Sequence, residues 1–229
     1  MKIGIIASSG GAVFSAVRNI ISNNFPSIHY VVITDRECGI EDYCLQHSLL
    51  CKRISNTNNQ GFSAEAAGFI KENGGVDLIF LFFLRLITEE LFAQYPTINI
   101  HPSFLPSFSG FNPINKMRKR KSKFIGVTAH LVDNTIDAGN YIVQGVYPVL
   151  EDDSLERYYK ISYAQKVYVM IVAIEQFLMG NLKFDLEGYQ IRYDIQPNFN
   201  VMFNPCLVNP ELIHDFNEFS VRENVLQSI

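Results

Sequence analysis

The chain has 229 residues, 48% hydrophobic and 18% charged, the balance of a globular protein long enough for one sizeable α/β domain. A formal net charge of -4 argues against a whole-protein nucleic-acid binder, while leaving room for a local basic patch. The apolar run after Lys2 breaks at Ser8, Ser9, Gly10 and Gly11, too short for a secretory signal, and Leu78–Leu84 falls far short of a membrane span.

Runs rich in β-branched and aromatic residues predict strands over Lys2–Ala7, His29–Thr34, Asp77–Phe83, Thr97–His101, Val127–Val132 and Tyr141–Pro148. Between the first four, helices are expected near Val13–Asn23, Ile40–Gln46, Ser63–Glu72 and Thr88–Ala93. Such alternation implies an α/β fold whose mostly parallel, twisted sheet is built by right-handed crossovers. Asp77–Phe83 is apolar on both faces, as a central parallel strand should be. The last two strands follow each other closely, so they are expected to be partly antiparallel. Leu155–Met179 reads as one long amphipathic helix stopped by Gly180. Beyond it the pattern weakens, with a last helix expected near Pro210–Phe219. The expected organisation is therefore a catalytic domain over 1–180 and an extension over 181–229. The extension would pack on the domain or on a partner subunit, which allows a homodimer.

Cysteines 38, 44, 51 and 206 show neither metal-ligand spacing nor a disulfide-dense pattern, so they read as reduced thiols of a cytoplasmic protein without a metal site.

Two segments could carry chemistry. In Ile98-Asn99-Ile100-His101-Pro102-Ser103, strand alternation puts Asn99 and His101 on one face. Pro102 and Pro106 end the strand there, at the carboxyl edge where open parallel sheets bind ligands. An amide beside an imidazole can stabilise charge developing on a carbonyl oxygen; equally, Asn99 could merely end a strand and His101 cap a turn. The second segment runs from Gly126 to Gly139 and leads a strand into a polar loop holding Asp133 and Asp137. A carboxylate can orient an imidazole and accept protons, but Asp before Gly is also an ordinary turn residue, and spacing alone cannot bring Asp137 to His101.

Together the segments resemble the folate-dependent formyltransferase family. NIHPSFLPSFSG is similar to that family's Asn-x-His-Pro-Ser-Leu-Leu-Pro motif, and GVTAHLVDNTIDAG to its partner motif, with the catalytic aspartate at Asp137. Phe83-Leu84-Arg85-Leu86-Ile87 is similar to the folate-binding turn after a central strand. The resemblance covers roughly residues 1–180 and implies a Rossmann-like fold with helices on both faces of the sheet. It implies 10-formyltetrahydrofolate as co-substrate, with Asn99 and His101 polarising the formyl oxygen and Asp137 orienting His101 and shuttling a proton. Backbone groups of Leu84, Arg85, Leu86 and Ile87, and of the loop from Val132 and Asp133 to Asp137, would hold the pteridine. Gly10, Gly11, Ala12, Val13 and Pro102 would contact the acceptor.

The acceptor half departs from the glycinamide ribonucleotide branch. Ala12 and Val13 stand where that branch has Ser and Asn, Phe111-Asn112-Pro113-Ile114 replaces a His-rich stretch, and no Glu appears at Ala164–Lys166. The expected acceptor is a primary amine on a small phosphate-bearing molecule, a nucleotide-linked amino sugar or glycinamide ribonucleotide. Formyltetrahydrofolate hydrolysis is the alternative, although a first strand at Lys2 leaves no room for the regulatory domain expected before such a catalytic domain. A non-catalytic folate- or nucleotide-binding module is the alternative of another class. The run from Lys116 to Lys123 reads either as a solvated helix face or as an anion site near the acceptor pocket. No nucleic-acid or membrane partner is expected.

Overall fold

A computed structural model describes residues 1–185, 188–191 and 202–223. The chain divides into two compact units, Met1–Asn99 with Leu131–Gly139, and Ile100–His130 with Asn140–Ile229.

The first unit alternates β1 (Lys2–Ala7), α1 (Ala12–Asn24), β2 (His29–Thr34), α2 (Gly39–Gln46), β3 (Leu50–Arg53), α3 (Asn59–Glu72), β4 (Leu78–Phe82), α4 (Glu89–Phe92) and the start of β5 (Thr97–His101). Its strands pair in parallel in the order β5-β4-β1-β2-β3. The chain winds outward from β1 to β3, then returns across β1 to β4 and β5. Right-handed crossovers place helices of the two halves on opposite faces. The packing follows: Phe62, Ala66, Ala67 and Ile70 of α3 cluster with Ile6, Val31, Ile33, Ile79 and Leu81. On the opposite face Phe14 of α1 meets Tyr30 edge-on, with ring centroids 5.2 Å apart. The expected α/β class and mostly parallel sheet are thus present. The reversal of winding falls between β1 and β4, and ligands of such sheets lie beyond the strand carboxyl ends at that point.

The strand β3 was not expected, nor were three short strands beyond residue 180. β3 lies at the sheet edge, where Lys52 and Arg53 are exposed, and charged side chains of this kind keep an edge from pairing with another chain. Arg53 is held by the Glu41 carboxylate, and Glu37 stands 3.4 Å away.

The second unit holds α5 (Pro113–Lys119), most of β6 (Phe124–Leu131), β7 (Tyr141–Pro148), α6 (Leu155–Leu178), β8 (Leu182–Asp185), β9 (Gly188–Ile191), β10 (Phe203–Asn204) and α7 (Pro210–Arg222). β6 and β7 pair antiparallel, as expected of these two strands; β10 also pairs antiparallel with β7, and β8 with β9. The core joins Ile114 and Met117 of α5 to Ile125, Tyr147, Tyr158 and Ile161. α6 begins at Ser154, whose hydroxyl accepts from the Arg157 amide at 3.1 Å, the usual way of satisfying an orphan donor of a helix first turn.

α6 also anchors the described part of the C-terminal extension. The Glu175 carboxylate is buried and accepts from the Val208 amide at 3.1 Å and the Asn209 amide at 2.6 Å. The Tyr168 hydroxyl accepts from the Leu207 amide at 3.0 Å. Tyr163 and Tyr168 then stack edge-on against Phe219 and Phe216 of α7. Residues 186–187, 192–201 and 224–229 of the expected extension lie outside the described residues. Among the described residues no helix is long and apolar enough to cross a membrane.

Candidate active site

In the first unit, the carboxyl ends of β1, β4 and β5 lie side by side, with Ala7 opposite Phe82 and Leu81 opposite Asn99 in parallel register. The Ser8 amide continues the β1–β4 ladder by donating to Phe82 O at 3.1 Å, and the Ser8 hydroxyl accepts from the Leu84 amide at 3.2 Å. The start of the expected folate turn is thereby fixed to the end of β1. Arg85 points back into the protein instead of outward. Its guanidinium donates to Asn59 Oδ1 at 3.1 Å and to the carbonyls of Asn56 and Thr57 at 2.8 Å, and lies over the Phe62 ring at 5.1 Å. Thr88 is fastened in the same way, its amide donating to Ser63 Oγ at 3.0 Å. Between these anchors Leu84 and Leu86 are exposed and Ile87 is buried. A turn held at both ends offers its backbone groups to a ligand without relying on particular side chains.

Gly10 and Gly11 precede α1, which starts with Ala12 and Val13. Gly11 has φ 71°, and a Cβ there would meet the Ile40 side chain at 2.6 Å, so glycine is required on both conformational and steric grounds. At the end of β2, burial opposes ionisation of Asp35. Hydrogen bonds from Arg36 and Ser8 outweigh it and hold the carboxyl below its ordinary value.

The loop after β6 belongs to the first unit as well. The Val132 amide donates to Thr97 O at 2.8 Å, tying the loop to the start of β5. Asp133 Oδ1 accepts from the Thr135 amide at 2.7 Å, a local turn that spends this carboxylate on its own loop. Asp137 sits at φ 53°, a left-handed conformation that Asp tolerates better than most residues. The loop closes tightly, since a Cβ on Gly139 would fall 1.8 Å from Leu131 O.

Asn99 and His101 share β5 at alternate positions, and His101 is 6% exposed. Within the second unit, His101 Nε2 donates to Phe108 O at 3.2 Å. A carbonyl can only accept, so this bond puts a proton on Nε2; Nδ1 is then an acceptor in the neutral ring and a donor in the imidazolium. Pro102 opens the loop to Asn112. Thr128 of β6 holds that loop: its hydroxyl donates to Ser103 O at 2.9 Å and accepts from the Leu105 amide at 3.0 Å. Gln144 of β7 donates to Leu105 O at 2.9 Å. A Cβ on Gly126 would lie 2.4 Å from the Phe104 amide nitrogen, so the loop rests on the strand backbone. Sequence reasoning did not single out Phe108, Thr128 or Gln144. Phe108 and Thr128 lie inside the two motif segments and Gln144 outside them, but they act through a backbone carbonyl and long-range hydrogen bonds, which a motif does not report.

An open cavity of about 700 Å³ is lined by Phe108, Lys116, Lys119 and Arg120, which ties the basic run to the loop that holds His101. Among the described residues no group of His, Cys, Asp or Glu could hold a metal ion.

The parallel sheet, its winding reversal and the polar groups at the strand ends define an α/β protein with a candidate ligand site beyond the strand carboxyl ends. Residues 1–174 match the family described as Formyl transferase, and the chain belongs to that family. Glycinamide ribonucleotide transformylase 1 from Symbiobacterium toebii is similar in structure, with TM-score 0.73 and 26% identity over 83% of this chain and 93% of that one. Phosphoribosylglycinamide formyltransferase from Haemophilus influenzae is 25% identical over 78% of this chain and 82% of its own length. Formyltetrahydrofolate deformylase from Synechocystis is 31% identical over 139 residues, which is 60% of this chain. The match takes in 45% of that deformylase, so the chain spans less than half the length of this relative.

Proposed function

We propose that the protein transfers the formyl group of 10-formyltetrahydrofolate to a primary amine on a small phosphate-bearing molecule. The observation that carries this reading is the placement of Asn99 and His101 at the carboxyl end of β5, within a chain of the Formyl transferase family. The turn Leu84–Ile87 and the loop Val132–Asp137 would hold the folate through backbone groups, and Gly10, Gly11, Ala12, Val13 and Pro102 would contact the acceptor.

The chemistry needs two services. As the amine nitrogen attacks the formyl carbon, the carbonyl oxygen gains negative charge, which the Asn99 amide and the His101 imidazole stabilise by hydrogen bonding. The attacking nitrogen must also lose a proton while the folate nitrogen gains one as its bond to the formyl carbon breaks. Asp137, orienting His101, assists that transfer. Atoms balance without any oxidant or metal: the products are a formamide and tetrahydrofolate.

Water in place of the amine would give formate and tetrahydrofolate over the same three residues. The similarity to proteins named formyltetrahydrofolate deformylase, 45% identical over 69 residues in the Haemophilus influenzae protein, favours this second reading. One experiment separates the two. The purified chain is given formyl donor with and without a panel of phosphorylated amines, and tetrahydrofolate and formate are followed. Amine-dependent tetrahydrofolate release without formate supports transfer; formate release indifferent to amine supports hydrolysis; neither product removes both.

A further inference from the structure

From the second unit we infer that the cavity over α5 is a binding site for an oligophosphate group, the anionic end of the acceptor. This rests on the transferase reading for its role, although the site itself can be tested alone.

Lys116, Lys119 and Arg120 are spaced i, i+3 and i+4, so they emerge on one side of α5 and its last turn. The opposite side of the same helix, Pro113, Ile114 and Met117, is buried. The three cations are therefore carried on an element fixed by core packing, and all three line the cavity of about 700 Å³. Charge bookkeeping separates them from their neighbours. Lys121 and Lys123 both pair with Glu151, at 2.6 and 3.4 Å. Lys116 donates to the backbone carbonyl of Ser109 at 3.1 Å, which leaves its charge uncompensated. Among the described residues Lys119 and Arg120 have no acidic partner, and no carboxylate lines the cavity. Like charges at this spacing repel one another, and a chain of net charge -4 has no general need for such a cluster. A bound polyanion relieves the repulsion.

The cavity is also next to the chemistry. Phe108 lines it, and the Phe108 carbonyl accepts the hydrogen bond of His101 Nε2. Phe108 is thus shared between the cavity lining and the hydrogen bond that holds the imidazole. By contrast, the glycine loop Ser8–Val13 contains no lysine or arginine. Three cations around a space this large suit a diphosphate better than a single phosphate, because each extra charge finds its own partner.

The test uses the full chain and inorganic pyrophosphate as probe, followed by titration calorimetry at low salt. Wild type is expected to bind pyrophosphate more tightly than inorganic phosphate, with affinity falling as salt rises. In Lys119→Ala/Arg120→Ala the affinity is expected to drop at least tenfold, whereas Lys52→Ala/Lys71→Ala, which removes two exposed charges elsewhere, leaves it unchanged. All these side chains are exposed, and matching thermal melts establish that the variants fold. No pyrophosphate binding by wild type, or equal binding by the cavity variant, overturns the site. A kinetic arm distinguishes the two proposals. If pyrophosphate binding depends on Lys119 and Arg120 but no amine is formylated, the site stands and the transferase reading falls. If amines are formylated with a KM indifferent to the cavity variant, the site falls and the transferase reading stands.

Discussion

His101 Nε2 donates to the carbonyl oxygen of Phe108 across 3.2 Å, and Phe108 holds that carbonyl in place with a left-handed backbone, φ 56°. A bulky residue takes this conformation only where its surroundings impose it. Within the loop Ser103 Oγ donates to Ser107 O at 2.7 Å, while the Thr128 hydroxyl bonds Ser103 and Leu105 and Gln144 bonds Leu105. The imidazole is thus fixed by a loop that two neighbouring strands hold down.

His101→Ala is expected to lower kcat by about 100-fold to 10,000-fold, the range for removing a positioned acid–base group. Binding of a non-reactive folate analogue should change little, because the proposed donor site consists of backbone groups elsewhere. Stopped assays with saturating donor, together with analogue titration, check this. A variant that keeps wild-type kcat would remove His101 from the reaction.

Thr128→Ala addresses the support of that loop. The substitution leaves the buried Leu105 amide and Ser103 carbonyl without their shared hydroxyl, which costs about 1–3 kcal/mol. Both a lower melting temperature and a fall in kcat are expected, because His101 reads its position from this loop. Lower stability with unchanged kcat would show that the imidazole is positioned independently.

How much of this the sequence disclosed depends on the range of the interactions. The parallel strands and the long α6 were readable because hydrophobic periodicity is local, and the pairing of Asn99 with His101 followed from strand alternation. β3 escaped notice because Leu50-Cys51-Lys52-Arg53 is a short edge segment, half of it charged. The bounds of α5 are not legible, and the run from Lys116 to Lys123 reads as a solvated helix face or an anion site, since only Pro113, Ile114 and Met117 of its seven residues are buried. Asp137 was singled out by family resemblance, because no local rule brings a loop carboxylate to a distant imidazole. The role of Arg85 was hidden for a similar reason. Its partners, Asn56, Thr57 and Asn59, are contributed by the segment leading into α3.

Arg85→Ala should therefore behave as a loss of support and not as a loss of a ligand. Three hydrogen bonds and the contact with the Phe62 ring disappear together, with an expected cost of about 2–4 kcal/mol in stability, measured by denaturant titration. The KM for formyl donor should rise while kcat at saturating donor stays within about threefold. A large fall in kcat at saturation would mean that the guanidinium takes part in the chemistry.

Two glycines give a matched contrast. In Gly139→Ala the new methyl meets the Leu131 carbonyl oxygen at 1.8 Å, so the backbone of the loop carrying Asp137 must move. Displacement by about 1 Å is enough to cost roughly 100-fold in rate. Gly68→Ala, inside α3 with nothing within 4 Å, should instead stabilise the fold by about 0.5–1 kcal/mol with normal activity. Parallel melts and rate assays decide; an active Gly139→Ala enzyme would show that this loop need not be held in place.

The pH response of the C-terminal anchor can be derived from Glu175. Burial is the largest influence on its carboxyl and raises the pKa above 4.5, against the lowering effect of the Asn209 and Val208 amides. A folded-state pKa above the unfolded value means that the native state binds more protons. Its contribution to stability is therefore fully present below the unfolded value and is lost as pH rises through the folded one. Glu175→Gln cannot titrate, yet keeps an oxygen to accept from the same amides. The melting temperature of wild type relative to Glu175→Gln should consequently fall as pH rises from about 4 to about 8, and level off above the folded pKa. A gap that widens in favour of wild type over that interval would mean that the amides, and not burial, dominate the carboxyl. Limited proteolysis tests the anchoring itself. Glu175→Ala leaves the Val208 and Asn209 amides unpaired, at about 1–3 kcal/mol each, so cleavage near residues 202–209 should accelerate while the core from β1 to α6 resists.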